Sequence, residues 1–181
     1  MYGLTNFAVL ATMASTALAA ASNETREYRL RTEVKPHQRN KRFYDNLYLY
    51  SYHTGAGLGD ATFDRNSSAG IVGTLNATNT STASAPNYVQ EFDLGTGFPY
   101  SLYLAEADTP YSGWQPARID AGDGSASSRG IGEGFFINST GLQFNSAPGE
   151  DADLNAFGGW IVCDWWHGKS NSMPFTYTFA S

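Results

Sequence analysis

Cysteine occurs once in the 181 residues, as Cys163. A single thiol excludes an intrachain disulfide framework and any paired Cys-x-x-Cys metal site. Histidine occurs three times, as His37, His53 and His167, without the H-E-x-x-H spacing that sets two imidazoles on one helix face. The G-x-S-x-G elbow of a serine hydrolase is missing. The glycine-rich stretch TGAGLG, residues 54–59, lacks the Gly-Lys-Ser/Thr ending of a phosphate loop. Asp120 and Asp123, set among glycines, have only part of the acidic run of a calcium loop. These gaps imply no metal and no cofactor. Positive charge is also scarce, with 11 Lys and Arg against 17 Asp and Glu, a net charge of −6. Seven of the basic residues and three of the acids fall in residues 22–42, so that segment is +4 and residues 43–181 carry −10. An acidic body argues against a nucleic-acid partner, and the basic run reads as a solvated loop.

Long apolar runs are confined to the N-terminus. Residues 1–21 have an Ala-rich apolar stretch and the small-x-small sequence Ala17-Leu18-Ala19, the form of a cleaved signal peptide. No other stretch has the length to cross a bilayer, so no membrane anchor is expected. Export fits the five N-x-S/T sequons, at Asn23, Asn66, Asn76, Asn79 and Asn138, which as N-glycosylation sites would have to be exposed. The expected location is extracellular or in a cell wall.

A sustained 3.6-residue period is missing as well, which leaves strands. Aromatics make up 14% of the chain, and 19 glycines punctuate it. YRLRTEV at residues 28–34 puts Tyr28, Leu30, Thr32 and Val34 on one face. LYLYSYH at 47–53 separates Leu47 and Leu49 from Tyr48, Tyr50 and Tyr52. Further strands are read at 61–64, 70–75, 88–94 and 100–104, with a hairpin at 134–144 turning on residues 138–141. Pro116 places the strand WQPARI, 114–119, on a sheet edge. Residues 76–87 are a low-complexity loop carrying two sequons. The dibasic pair Lys41-Arg42 has the form cut by secretory convertases, although an ordinary charged loop explains it too. Short strands joined by Gly/Ser-rich turns imply an all-β domain, either an antiparallel β-sandwich or a closed β-barrel.

The stretch FGGWIVCDWWHG, 157–168, holds three of the four Trp, the Cys and one His. Its apolar part reads as a buried strand, with Asp164, Trp165, Trp166 and His167 following where the strand meets a surface. Trp114, Trp165, Trp166 and the Tyr48/Tyr50/Tyr52 face are the candidates for an aromatic platform, with Asp164, His167 and His53 adding directional hydrogen bonds. Such a surface suits cell-wall glycan or a host surface, and the same aromatics packed into a core are the competing reading. The alternatives are a secreted hydrolase using His53 and His167 with a carboxylate, or a truncated, non-functional isoform. Glycoside hydrolysis needs two carboxylates, and Glu91, Asp93 and Asp164 lie nearest the strand patterns.

Together YHTGAGLGDA, QEFDLGTGFPYSL, GWQPARIDAGDG, TGLQF and FGGWIVCDWWHG resemble an uncharacterised family of small secreted proteins of filamentous fungi. The strand pattern is more distantly similar to fungal cell-wall proteins of the phialide-development type. The first resemblance implies a compact β-domain behind a signal peptide, without an established activity. It also implies that Cys163 is half of a disulfide in relatives, whose partner this chain lacks. The division that follows is a signal peptide at 1–21, a secreted β-domain at 22–168 and an atypical tail at 169–181. That tail is read as retained-intron read-through, since Gly168-Lys169-Ser170 can be encoded across a GTAAGT donor site. The alternative is a genuine short C-terminus in which the alternating FTYTF supplies a substitute strand.

Overall fold

The structure is a computed structural model that describes residues 26–82, 85–106, 113–125, 127–147, 155, 157–165 and 173–180. The proposed signal peptide, Asn23, Trp166 and His167 lie outside these residues. The fold is all-β, and every strand pairing is antiparallel. In chain order the strands are β1 (Tyr48–Gly55), β2 (Leu58–Asp64), β3 (Val72–Ala77), β4 (Tyr88–Asp93) and β5 (Tyr100–Leu104). They continue with β6 (Trp114–Ala121), β7 (Glu133–Asn138), β8 (Gly141–Phe144), β9 (Phe157–Trp165) and β10 (Met173–Ala180). Eight of them run in the order β1-β2-β10-β6-β5-β4-β7-β8, with β3 added on β4 and β9 on β10. Of the two architectures expected, the sandwich-like one is found, and the sheet is not closed into a barrel.

The N-terminal segment lies between β1 and β3. Tyr28 bridges Gly73, Arg31 bridges Tyr48, and Leu49 N donates to Leu30 O at 3.0 Å. Along residues 28–34 burial alternates with period two, and Leu30 packs against the core. Only isolated bridges form, so this segment spans the gap without completing a ladder. Lys41 and Arg42 follow in an exposed 3-10 helix, Arg39–Tyr44.

Cross-strand pairs build the core. Leu49 faces Phe63, Leu102 faces Ile119, Leu104 faces Ala117 and Phe135 faces Phe144, and all eight are buried. Phe135 has no exposed surface, so its removal to Ala would cost about 3–5 kcal/mol. Strand β5 is buried on both faces. Leu102 and Leu104 enter the core, whereas Ser101 and Tyr103 lie under the loop that follows β6. Ser101 Oγ donates to Gly122 O at 2.7 Å, and Tyr103 Oη accepts from Gly124 N at 3.1 Å. Glycine is required at 124, where φ is +84° and a Cβ would stand 2.4 Å from Val89 Cγ1.

One expectation is corrected. Pro116 does not mark an edge: β6 pairs with β5 on one side and with β10 and β2 on the other. Its carbonyl accepts from Ala105 N at 2.9 Å, just beyond the last residue of β5. In an antiparallel strand a residue's N and O point the same way, so the missing N–H faces the place where the β5 ladder stops. At the C-terminus a strand forms, as the alternative reading of FTYTF expects. Met173–Ala180 is not an appendage, because β10 pairs with β9 along its length, with β6 through residues 177–179 and with β2 at Phe175. The sheet therefore continues past Gly168, through the segment holding FTYTF.

Candidate functional site

The turn between β4 and β5 is fixed by its own polar groups. Asp93 Oδ1 accepts from Gly95 N at 2.7 Å, Gly95 adopts φ +72°, and Thr96 Oγ1 donates to Phe98 O at 2.8 Å. Pro99 O is held by Gly122 N at 3.0 Å. This geometry projects Phe98 outward, where it is 53% exposed and stacks on Tyr100 with centroids 5.4 Å apart and planes 26° from parallel.

A shallow, open groove of about 340 Å³ runs beside this turn, lined by Phe98 and Pro99. The register of β3 on β4 sets Val72 opposite Asp93 and Thr74 opposite Glu91, so both carboxylates share a face with those two side chains. Glu27, just before the Tyr28 bridge, contributes a third carboxylate to the lining. No lining residue is Lys, Arg or His. Burial raises the Glu91 carboxyl above its ordinary range, a hydrogen bond from the Asn76 side chain offsets part of this, and the charge of Asp123 adds to the rise. The groove thus presents a flat apolar face beside acidic hydrogen-bond acceptors, an arrangement suited to gripping an amphipathic ring.

Elsewhere the sequence candidates are dispersed. Asp164, exposed on β9, accepts from Tyr44 Oη at 2.8 Å, and this bond raises the Tyr44 phenol. Cys163, half-buried, is pushed up to about 11 by burial and secondarily by the Asp164 charge. Trp165 ends β9 opposite Met173, and Trp114, half-buried, begins β6 opposite Phe179. Trp160 packs on Phe157 at 5.3 Å and donates its indole N–H to Leu142 O at 2.6 Å, which makes it part of the architecture. Tyr48, Tyr50 and Tyr52 are half-buried on β1, and His53 is exposed opposite Gly59. Among the described residues no acid pairs with His53, and none form a group of three His, Cys, Asp or Glu able to hold a metal. Asp120 and Asp123 separate: Asp120 is buried, accepting from Gly59 N at 3.0 Å beside Arg118 Nη2 at 3.5 Å, while Asp123 is exposed and bonded to Ser125.

A family profile described as a domain of unknown function, DUF7907, matches residues 25–180. The chain belongs to that family. Its match passes residue 168 and takes in the whole of β10, in accord with the strand pairing. Searches of the curated proteins and of the solved structures find no match. Within this DUF7907 domain the groove's exposed aromatic side chain is Phe98, which strand periodicity does not mark. The available signal was Phe98 within the turn sequence GTGFP, where Gly and Pro place an apolar ring outside any strand.

Of the sequons, Asn66, Asn79 and Asn138 are exposed and Asn76 is half-buried. Asn66 Oδ1 accepts from Ser68 N at 3.0 Å, and Asn138 Oδ1 from Thr140 N at 2.8 Å, so each side chain is turned back on its own sequon.

Proposed function

We propose that this domain is a secreted, glycosylated, non-enzymatic module that binds glycan in a cell wall or on another extracellular surface, through the groove beside Phe98. The observation that carries this reading is the exposed Phe98 ring, which lines the same groove as Glu91 and Asp93. The apolar face of a sugar ring packs on an aromatic ring while its hydroxyls donate to carboxylates, and the groove supplies both partners side by side. The signal-like segment at 1–21 and the exposed sequons support export and glycosylation. A fungal wall is the setting that the sequence resemblance suggests.

The test is retention of the secreted protein on insoluble chitin, β-glucan and mannan, with Phe98→Ala as the comparison. Phe98 is largely exposed, so the variant keeps the near-UV circular dichroism of the parent. Loss of an aromatic contact of about 0.5–1.5 kcal/mol weakens retention by roughly two- to tenfold. Equal retention of the two proteins, or retention of neither on any glycan, would overturn the assignment.

A further inference from the structure

We propose that the groove selects a glycan carrying free amines, a glucosamine polymer in preference to its N-acetylated or uncharged counterparts. This rests on the glycan-binding reading above and narrows it to one ligand class. The argument is charge complementarity on a shaped surface. Three lining side chains, Glu27, Glu91 and Asp93, are carboxylates and none is cationic. Among the described residues none of the three is in an ion pair. Glu91 and Asp93 are two residues apart on one face of β4, so they stand about 7 Å from each other along the strand. That places a row of negative charge in the groove that Phe98 also lines, an arrangement that suits a polymer with one ammonium per sugar.

Other ligand classes use less of the surface. A neutral glycan would find the Phe98 ring but gain nothing from the carboxylates' charge. A sulfated or uronic-acid polymer would be repelled by the groove's three carboxylates and by the chain's net charge of −6. Burial and the nearby Asp123 already disfavour charge on Glu91, and an ammonium against it would relieve that cost. A cationic ligand is the one that improves the electrostatics of the groove.

The experiment compares retention of the full-length secreted protein on chitosan, chitin, β-glucan and polylysine-coated beads, in a buffer where amines and carboxylates are both charged. The wild type, Phe98→Ala and the double variant Glu91→Gln/Asp93→Asn are used, each first matched by near-UV circular dichroism. The expected result is that wild type holds chitosan roughly tenfold more tightly than chitin. The double variant should fall to the level of chitin, and Phe98→Ala should weaken both. If wild type holds chitin or β-glucan as tightly as chitosan, and Phe98→Ala weakens them, the amine preference is wrong and the glycan reading stands. If polylysine is held as well as chitosan, or chitosan retention is indifferent to all three substitutions, attraction to an acidic protein explains the binding and both proposals fall.

Discussion

Replacing Tyr103 with Phe removes one oxygen from the sealed side of β5. Tyr103 has no exposed surface, and its Oη accepts from the buried N–H of Gly124 at 3.1 Å. Phe fills the same ring volume, so the core is not emptied, but Gly124 N loses its partner where water does not reach. An unpaired buried donor costs about 1–3 kcal/mol. For a domain of this size each kcal/mol lowers Tm by about 2–4 °C, so the melting temperature should drop by roughly 2–12 °C. A second readout is alkaline stability. Burial raises the Tyr103 phenol above its usual value, as it does that of Tyr28. The fold therefore favours the neutral phenols. Stability is full below the unfolded value of about 10 and is lost as pH rises toward the folded values. Tyr103→Phe should ease that alkaline decline and remove one late-ionising phenol from an ultraviolet titration. An unchanged Tm together with an unchanged titration would refute the placement of Tyr103 beneath the glycine loop.

Two further outcomes follow from β9 and β10. A chain ending at Ser172 should lose near-UV circular dichroism and aggregate, because β9 then has no pairing partner and β2 and β6 gain open edges; a soluble monomer with the parent spectrum would contradict the register of β10. Cys163, with its thiol pushed up to about 11 by burial and by Asp164, should react slowly with iodoacetamide at neutral pH and rapidly once unfolded. Asp164→Asn should speed the folded-state reaction modestly, and a fast parent reaction would place the thiol in water.

Much of the strand plan is legible because period two is a local signal. Leu47 and Leu49 are buried while Tyr48 and Tyr50 are not fully so, as LYLY requires. The hairpin at 134–144 is found as β7 and β8, with Asn138 facing Gly141 across a two-residue loop. What the pattern cannot carry is which strands become neighbours. Pro116 reads as an edge signal because the rule concerns a missing N–H, but β10, about sixty residues later, occupies the opposite side of β6. Ser101 and Tyr103 look solvent-facing by alternation, and only the returning glycine loop buries them. The site was half legible. Glu91 and Asp93 lie in a strand pattern that marks them, whereas Phe98 sits in a turn without periodicity and the tryptophan signal points to β9, where Trp160 packs on Phe157.

The most direct test of the groove as the binding site is nuclear magnetic resonance mapping with a soluble glucosamine oligomer on isotope-labelled full-length protein. The account predicts saturable shifts confined to the turn at residues 94–99, to Tyr100, and to Glu91, Asp93 and Glu27, with β9 unmoved. Shifts centred on Asp164 and Trp165, or none at saturating oligomer, would contradict it.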